Sequence, residues 1–286
     1  MRLDYVVVDV FTRRALEGNA LAVFLDGRGL STEQMQAIAK ETNLSETTFV
    51  LPGEGRDGAE RVRIFTVDEE LPFAGHPTLG TAEVLRARKQ TKDVVLDLNA
   101  GRVPVRFEER EGMQFGEMRQ KDPQFGQVHD REAVARAAGL RPEQLATEWP
   151  VQTANTGVPF AIVPLRDLDS LRQLRLNYAV GGEYMAKTDA KFLYFIAQKN
   201  DHELEARMIF YNGEDPATGS AAGCCIAWCV KHGVIAADQQ VVIRQGAMAR
   251  RPSEIFVRAG LDDGSVTNVR VGGFCVEVAH GAFTIS

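Results

Sequence analysis

The sequence predicts an α+β fold of two pseudo-symmetric halves, each a strongly curved, barrel-like and mostly antiparallel sheet around a central helix. Three observations support this fold class. A short phrase occurs twice, about half a chain apart; each half holds many strand-like segments and one long helix rich in small residues; and the second of these helices, residues 217–230, has almost no polar face. A helix that is apolar on all sides must be surrounded, and a sheet wrapped around it achieves this.

The repeated phrase combines a polar residue, a proline and a glycine at the start of a predicted helix. Its copies read GHPTLGTA at 75–82 and EDPATGSA at 214–221, and a strand-like run precedes each. Laying one copy over the other pairs His76 with Asp215. Because proline is tolerated in the first turn of a helix, the overlay predicts that both residues lie at or just before helix starts. The repeat indicates two related halves.

Two such helix starts have a chemical consequence. The first turn of a helix carries free N–H groups and a partial positive charge. Gly80 and Gly219 have no side chain, so a ligand or another backbone can approach closely there. If the two helix starts face each other, they line a cleft with amide donors suited to a small anion. The sequence therefore predicts a small anionic metabolite as the partner.

The first predicted helix is supported by three agreeing signals. Ser31 is the N-cap, Gln34 completes a capping box, and Leu30 forms a hydrophobic staple with Met35. Asn43, which tolerates left-handed geometry, predicts the end of this helix. Runs rich in β-branched and aromatic residues predict the strands of the first half at 3–11, 20–25, 44–51, 61–66, 93–99, 102–109 and 115–119.

A seam near residues 121–123 divides the chain into an N-terminal half, 1–120, and a C-terminal half, 121–270. Asp130 caps a predicted helix that ends at Ala138, and a glycine at 233 predicts the end of the helix that the second phrase begins. Further segments are predicted as a helix at 169–174, a strand pair within 151–165, a hairpin of 191–198 with 203–210, and tail strands over 239–286.

Size and charge limit the classes of protein to consider. A chain of 286 residues fits two mid-sized domains. The net charge of −6, without a basic stretch, argues against a nucleic-acid partner. The amino terminus reads as a strand rather than a signal peptide, and residues 217–230 are too short a stretch to span a bilayer. We therefore expect a cytoplasmic protein without a membrane partner.

The four cysteines do not follow a zinc-ligand pattern, so no metal is predicted. Cys224, Cys225 and Cys229 crowd one helix, and Cys275 lies in the tail. Free buried thiols are the favoured interpretation. A reactive role for Cys224 or Cys225 is disfavoured because both lie a full turn or more inside the helix, away from its positive end.

Glu46 is the only acid in the otherwise uncharged stretch 44–51. Two interpretations are open: a carboxylate that is half buried or points into a cleft, or an exposed residue at a strand start. In the first case, apolar surroundings raise the pKa of the carboxyl group, so that it can carry a proton near neutral pH. The sequence favours neither.

Four motifs occur in order along the chain: GNALAV at 18–23, LSETTF at 44–49, FAGHPTLG at 73–80 and the second phrase. Together they closely resemble the PhzF-like (phenazine biosynthesis-like) isomerase family, and a tail motif, RPS at 251–253, also looks like this family. The resemblance implies the diaminopimelate epimerase-like fold, with an active site in the cleft between the halves. It also implies that strands 271–286 return to the first half, and it suggests a homodimer.

The resemblance further implies cofactor-independent proton transfer at carbon on a small carboxylate-bearing substrate, of the dihydro-hydroxyanthranilate isomerase type. By motif, Glu46 is the expected proton shuttle, assisted by His76, Asp215 and Ser220 as further catalytic candidates. Epimerases of this fold use paired cysteines at the two helix starts, and neither phrase has one, which disfavours a two-thiol mechanism. The substrate-binding candidates are Asn19, Gly75, Thr218 and Gly219.

Other interpretations of these residues stay open. Helix capping would explain Asp215 about as well as substrate contact, whereas for His76 the match to Asp215 disfavours a capping role. Ser220 would serve as a small residue in a crowded helix, and Asn19 as a turn residue. A hydrolase that uses Ser220, His76 and Asp215 is a further alternative, although a Gly-x-Ser-x-Gly elbow is missing from the sequence. The rival from another class is a non-catalytic small-molecule binding or interaction protein on the same fold.

Overall fold

The computed structural model describes residues 1–176, 178–210 and 213–285. The fold is α+β, and the chain divides into two compact units. The first comprises Met1–Arg119, Arg251–Ser253 and Gly272–Ser286, and the second comprises Gln120–Arg250 and Glu254–Val271. The last strand of the chain therefore contributes residues to both units.

The first unit contains two helices and a set of strands that follow the predicted order. Its helices are α1 (Thr32–Thr42) and α2 (Gly75–Lys89). Its strands are β1 (Arg2–Val10), β2 (Asn19–Phe24), β3 (Glu46–Leu51), β4 (Glu60–Phe65), β5 (Glu70–Leu71), β6 (Asp93–Leu98), β7 (Gly101–Arg110) and β8 (Met113–Arg119).

The sheet of the first unit closes into a barrel. The end of the last strand of the chain, β17 (Ser265–Thr284), pairs with both β1 and β8. Around the rest of the barrel β1 pairs with β2, β2 with β3, β3 with β4, β4 with β6, β6 with β7, and β7 with β8. The β2–β3 and β4–β6 pairs are parallel, whereas the other registered pairs are antiparallel. Closure leaves these strands without an open edge.

Helix α2 contacts strands β1, β2, β3, β6, β7 and β8 of the barrel. Its residues from Gly75 to Ala82 are all buried. Polar side chains in this helix find partners inside the barrel: Thr81 Oγ1 lies 2.8 Å from Thr48 Oγ1, and Thr78 donates to the Ala74 carbonyl. The small residues of the first phrase therefore allow a helix to fit within a closed sheet.

Helix α1 covers the outer face of the same sheet, and its predicted caps are confirmed. The Ser31 side chain accepts from the Gln34 backbone N–H, Gln34 bonds back to Ser31, and Asn43 ends the helix with a φ of 52°. Its buried face, which includes Met35 and Ile38, packs into an aromatic cluster with Phe24, Phe49 and Phe65. Both faces of strand β3 are thereby covered.

The second unit repeats this plan with more helices on the outside. Its helices are α3 (Arg131–Ala138), α4 (Leu168–Gln173), α5 (Tyr178–Met185) and α6 (Gly219–Lys231). Its strands, besides the first part of β17, are β9 (Gln124–Val128), β10 (Gln152–Asn155), β11 (Pro159–Pro164), β12 (Phe192–Asn200), β13 (Glu203–Phe210), β14 (Gly213–Asp215), β15 (Val241–Gln245) and β16 (Ser253–Asp262).

The strands of the second unit pair in the order β9, β10, β11, β12, β13, β15, with β14 as a short partner of β13. The predicted hairpin of β12 and β13 is confirmed. Residues of α3 and α4 pack on one face of this sheet, in a cluster with Val163 and Phe195. Helix α6 contacts β10 and β11 and is buried from Gly219 to Val230, as its lack of a polar face predicts.

The structure aligns the two phrases in a different register from the one that their sequences suggest. Strands β4 and β13 each carry an arginine that binds a glutamate of the following strand, Arg63 with Glu70 and Arg207 with Glu214. Counted from these glutamates, Gly75 of α2 matches Gly219 of α6, and both begin their helices. Pairing His76 with Asp215 was therefore wrong. The two copies correspond through the number of residues between the ion-paired glutamate of the hairpin and the start of the helix.

Gly80 is needed for packing rather than for a ligand. A Cβ at this position would lie 2.7 Å from Val10 Cγ2 and 2.7 Å from Leu21 Cδ2, inside the barrel. We expect Gly80→Val to lower the free energy of unfolding by about 2 kcal/mol or more, since overpacking forces stiff side chains off their rotamers. Urea unfolding measures this loss.

Gly182 provides the matched control for this substitution. It also lies within a helix, α5, but a Cβ there would meet no atom within 4 Å. We expect Gly182→Val to change the free energy of unfolding by less than about 0.5 kcal/mol. Equal effects of the two substitutions would contradict the packing role of Gly80.

Within the described ranges, none of the helices is both long and apolar enough to cross a membrane.

Candidate active site

In the first unit, three predicted site residues lie at the starts of neighbouring elements. Asn19 begins β2, Glu46 begins β3, and His76 is the second residue of α2. The parallel register places Leu21 beside Glu46, so β2 and β3 begin at the same end of the barrel. All three side chains are buried, with exposures of 1% for Asn19, 8% for Glu46 and 3% for His76.

The alternation of β3 explains why a glutamate is buried there. Thr47 and Phe49 face α1: Thr47 lies 2.7 Å from Thr42, and Phe49 belongs to the aromatic cluster. Glu46 and Thr48 therefore face the opposite side, toward α2. Of the two interpretations that the sequence left open, the structure favours the buried carboxylate.

His76 links the other two residues. Its Nδ1 lies 3.2 Å from Asn19 Nδ2, and its Nε2 lies 3.6 Å from Glu46 Oε2. When Nδ1 accepts from this amide, the proton of the neutral ring is on Nε2, facing the carboxylate. Among the described residues, Nε2 has no hydrogen-bond partner.

Burial lowers the pKa of His76 to about 3, although a hydrogen bond with the Ala20 backbone raises this pKa by a smaller amount. The ring is therefore neutral at neutral pH, and its contact with Glu46 is not an ion pair. With its proton on Nε2, a neutral imidazole beside a carboxylate provides one hydrogen-bond donor and one proton acceptor at the same place. This combination suits proton transfer to and from a bound substrate.

The second unit holds the remaining predicted site residues in one short segment. Asp215 ends β14, Thr218 is the N-cap of α6, and Gly219 and Ser220 are its first two residues. Thr218 Oγ1 donates to Asp215 Oδ2 over 2.5 Å. Asp215, Thr218 and Ser220 are all buried. Asp215 is therefore not a helix cap, which corrects one interpretation of the sequence.

Two glutamines that sequence reasoning missed hold this segment. Gln245 Nε2 donates to the Asp215 carbonyl and to Thr218 Oγ1, while its Oε1 accepts from the Thr218 backbone N–H and from the Tyr194 hydroxyl. Gln120 Nε2 donates to the Gly219 carbonyl. Both glutamines are distant in sequence from the second phrase. The only feature of the sequence that could have indicated them is a polar side chain within or beside a strand.

Neither helix start is closed by its own N-cap side chain. Ala74, the N-cap of α2, has no polar side chain, and the Thr218 hydroxyl bonds to Asp215 rather than to the first turn of α6. The N-cap side chains of both helices therefore do not occupy the first-turn N–H groups, which are the donors that an anion would use.

A serine-hydrolase triad does not fit the histidine. In such a triad the Nδ1–H of the base donates to a carboxylate. The Nδ1 atom of His76 instead contacts the amide of Asn19. This contact argues against the hydrolase alternative.

Three of the four cysteines are buried in the core as thiols. Cys224, Cys225 and Cys229 are buried, and burial raises the pKa of Cys224 to about 11. A thiol with such a pKa is a poor nucleophile at neutral pH. In the part of the chain that the structure describes, His, Cys, Asp and Glu side chains do not gather in threes that could hold a metal ion.

Comparison with known proteins gives the family. A family model described as phenazine biosynthesis-like protein matches residues 8–281. An uncharacterized isomerase of Mesorhizobium japonicum is 37% identical, with 99% of each chain covered. A trans-2,3-dihydro-3-hydroxyanthranilate isomerase of Pseudomonas aeruginosa is 34% identical, over 97% of this chain and 98% of that protein.

Solved structures of similar proteins support the same fold. A predicted epimerase from Pseudomonas aeruginosa, 34% identical, superposes with a TM-score of 0.88 over 99% of this chain and 100% of its own. A probable proline racemase from Agrobacterium radiobacter, 13% identical, shares the fold with a TM-score of 0.71 over 99% of this chain and 93% of its own. The fold is thus the expected diaminopimelate epimerase-like one. With the family model matching nearly the whole chain and named isomerases among its relatives, the protein belongs to the phenazine biosynthesis-like family and is an isomerase.

Proposed function

We propose that this isomerase moves a proton between carbon atoms of a small carboxylate-bearing substrate, without a cofactor, and that Glu46 carries the proton. The observation that carries the proposal is the Glu46–His76 pair, a buried carboxylate whose Oε2 lies 3.6 Å from the Nε2 of a neutral imidazole. Glu46 acts first as the base and then as the acid.

The other site residues stabilise charge and orient the substrate in this proposal. Removal of a proton from carbon builds negative charge, which preorganised donors must stabilise. The N–H groups near Gly75, Gly219 and Ser220 bind the substrate carboxylate or that charge. His76 Nε2–H donates to a substrate hydroxyl or ring atom. Asp215, fixed by Thr218 and Gln245, holds a substrate amine.

The name of one relative indicates the substrate class. Trans-2,3-dihydro-3-hydroxyanthranilate carries a carboxylate, an amine and a hydroxyl group on one ring, and the Pseudomonas aeruginosa relative is named for its isomerisation. Each of these groups has a chemical complement among the candidate residues. We propose a substrate of this chemistry, acted on by a homodimer in the cytoplasm.

Solvent isotope incorporation tests the reaction. The protein is incubated in deuterated water with trans-2,3-dihydro-3-hydroxyanthranilate and with related cyclic amino acids that carry a hydroxyl group. We expect isomerised product with deuterium bound to carbon, detected by mass spectrometry and proton NMR, because a carboxylic acid exchanges its proton with solvent.

Failure has two distinguishable forms. Absence of turnover and of carbon-bound deuterium across the whole panel would contradict the proposed substrate class and favour a binding protein. Labelled product formed equally fast by Glu46→Gln would keep the reaction but remove Glu46 from it.

A further inference from the structure

The loop that joins β1 to β2, residues 11–18, has an unfavourable backbone. Phe11 and Leu16 have φ values of 64° and 69°, in the left-handed region that side chains disfavour. Gly18 has a φ of 67°, and a Cβ there would lie 2.4 Å from the Val10 carbonyl oxygen. Such a conformation persists only where surrounding contacts impose it.

An ion pair supplies these contacts. Asp9, on β1, is 1% exposed, and its Oδ2 accepts from the Leu16 backbone N–H over 2.6 Å. Its Oδ1 accepts from Arg251 Nη2 over 2.6 Å. The same guanidinium donates to two loop carbonyls, from Nη2 to Glu17 and from Nε to Gly18, each over 2.7 Å.

Asp9 and Arg251, with their bonds to residues 16–18, form a clamp on the loop. This clamp extends to the backbone beside Arg251. The Gly18 backbone N–H donates to the Pro252 carbonyl over 3.0 Å. Residues 251–253 form a short insertion into the first unit, since the chain on both sides of them belongs to the second unit. Arg251 and Pro252 of this segment both bond to Gly18 of the loop.

The loop ends directly at the candidate active site. Gly18, which the clamp holds through both its carbonyl and its N–H, precedes Asn19, whose amide contacts His76 Nδ1. An amide N–H that donates to Nδ1 favours the tautomer with the proton on Nε2. Arg251 is thus connected to the Glu46–His76 pair through one loop residue and one hydrogen bond.

We propose that Arg251 is a positioning residue for the reaction: by fixing Gly18 it holds the Asn19 amide on Nδ1 and so keeps the His76 proton on Nε2, facing Glu46. This inference rests on the proposed function for its catalytic consequence. Its structural part, the tautomer of His76, is measurable without a substrate.

The chemistry of the clamp requires arginine rather than lysine. A planar guanidinium reaches a carboxylate and two carbonyls from a rigid fork, whereas an ammonium is a single point charge. Arg251→Lys therefore keeps a positive charge beside buried Asp9 but loses the fork that orders residues 17 and 18. The protein stays folded, and the positioning is relaxed.

Arg56→Lys is the matched control. Arg56 also forks onto a buried carboxylate of the first unit, that of Asp97, which is 2% exposed. Asp97 lies on β6, outside the loop and the candidate site. Both variants thus replace a guanidinium that bonds to a buried aspartate, and only one of them acts on the loop.

The experiment combines nitrogen NMR of histidine side chains with kinetics. The chain has five histidines, so the ring signals of His76 are assigned by comparison with a His76→Gln sample. In the wild type we expect the widely separated Nδ1 and Nε2 signals of a single neutral tautomer. In Arg251→Lys these signals move toward each other, kcat falls roughly tenfold to a hundredfold, and KM changes less. We expect Arg56→Lys to match the wild type in the His76 ring signals, in kcat and in KM.

If Arg251→Lys does not fold, Asp9→Asn takes its place, because it weakens the same ion pair while keeping an acceptor for Leu16. His76 signals and kcat equal to those of the wild type in the folded variant would overturn the proposal. The proposed function fails separately, through full activity of Glu46→Gln, and a tautomer shift in Arg251→Lys would then still support the positioning role.

Discussion

Replacing Glu46 with Gln is expected to lower turnover by at least about a thousandfold while the protein stays folded, because general acid–base catalysis contributes rate factors of this order. Glutamine has the shape of glutamate and fits the same buried position beside His76, but its amide does not accept and return a proton. Turnover of trans-2,3-dihydro-3-hydroxyanthranilate measures the effect, and circular dichroism and the melting temperature verify the fold.

Glu41→Gln is the control, since Glu41 is an exposed glutamate of α1 in the same unit. We expect it to turn over at the wild-type rate. A Glu46→Gln enzyme within tenfold of this control would mean that another group carries the proton.

Acid is expected to destabilise the protein through His76. Its pKa is about 3 in the folded state, against 6.5 as the ordinary value. Above pH 6.5 both states are neutral at this site, and the free energy of unfolding does not depend on it. Below pH 6.5 the unfolded chain binds a proton that the folded chain does not, so stability falls by about 1.4 kcal/mol per pH unit until the pH nears 3.

Between pH 7 and pH 5 this effect amounts to about 2 kcal/mol. Urea unfolding of the wild type and of His76→Gln at both pH values measures it as the difference between their pH-dependent losses. The exposed His202 provides a control, and His202→Gln is expected to follow the wild type. If the free energy of unfolding falls equally in the wild type and in His76→Gln between pH 7 and pH 5, His76 is protonated in the folded state.

Local signals in the sequence predicted the parts of the fold that depend on neighbouring residues. The capping box at Ser31 and Gln34 and the stop at Asn43 are confirmed, because a cap is made by residues within one turn. The buried helix α6 follows equally from its composition. By contrast, α5 was not predicted, because its glycine pair at 181–182 weakens any helix signal.

The sequence indicated which candidate residues to consider, but not the contacts that join them. Glu46, His76 and Asn19 form one cluster, yet the burial of Glu46 depends on α1 and α2 covering β3 from both sides. The bonds of Gln245 with Thr218 and of Arg251 with Asp9 join residues far apart in the sequence, with nothing local to indicate them. The register of the two phrases was wrong for the same reason, because the ion pairs that define it appear only in the folded hairpins.

The closure of the first barrel by β17 constrains how the protein is made. Strand β1 is synthesised well before β17, yet Arg2 pairs with Thr284. Until β17 has been synthesised, β1 and β8 therefore lack their common neighbour and expose the unpaired edges that make nascent chains prone to aggregate. Synthesis of β17 must precede completion of the compartment that holds Glu46 and His76.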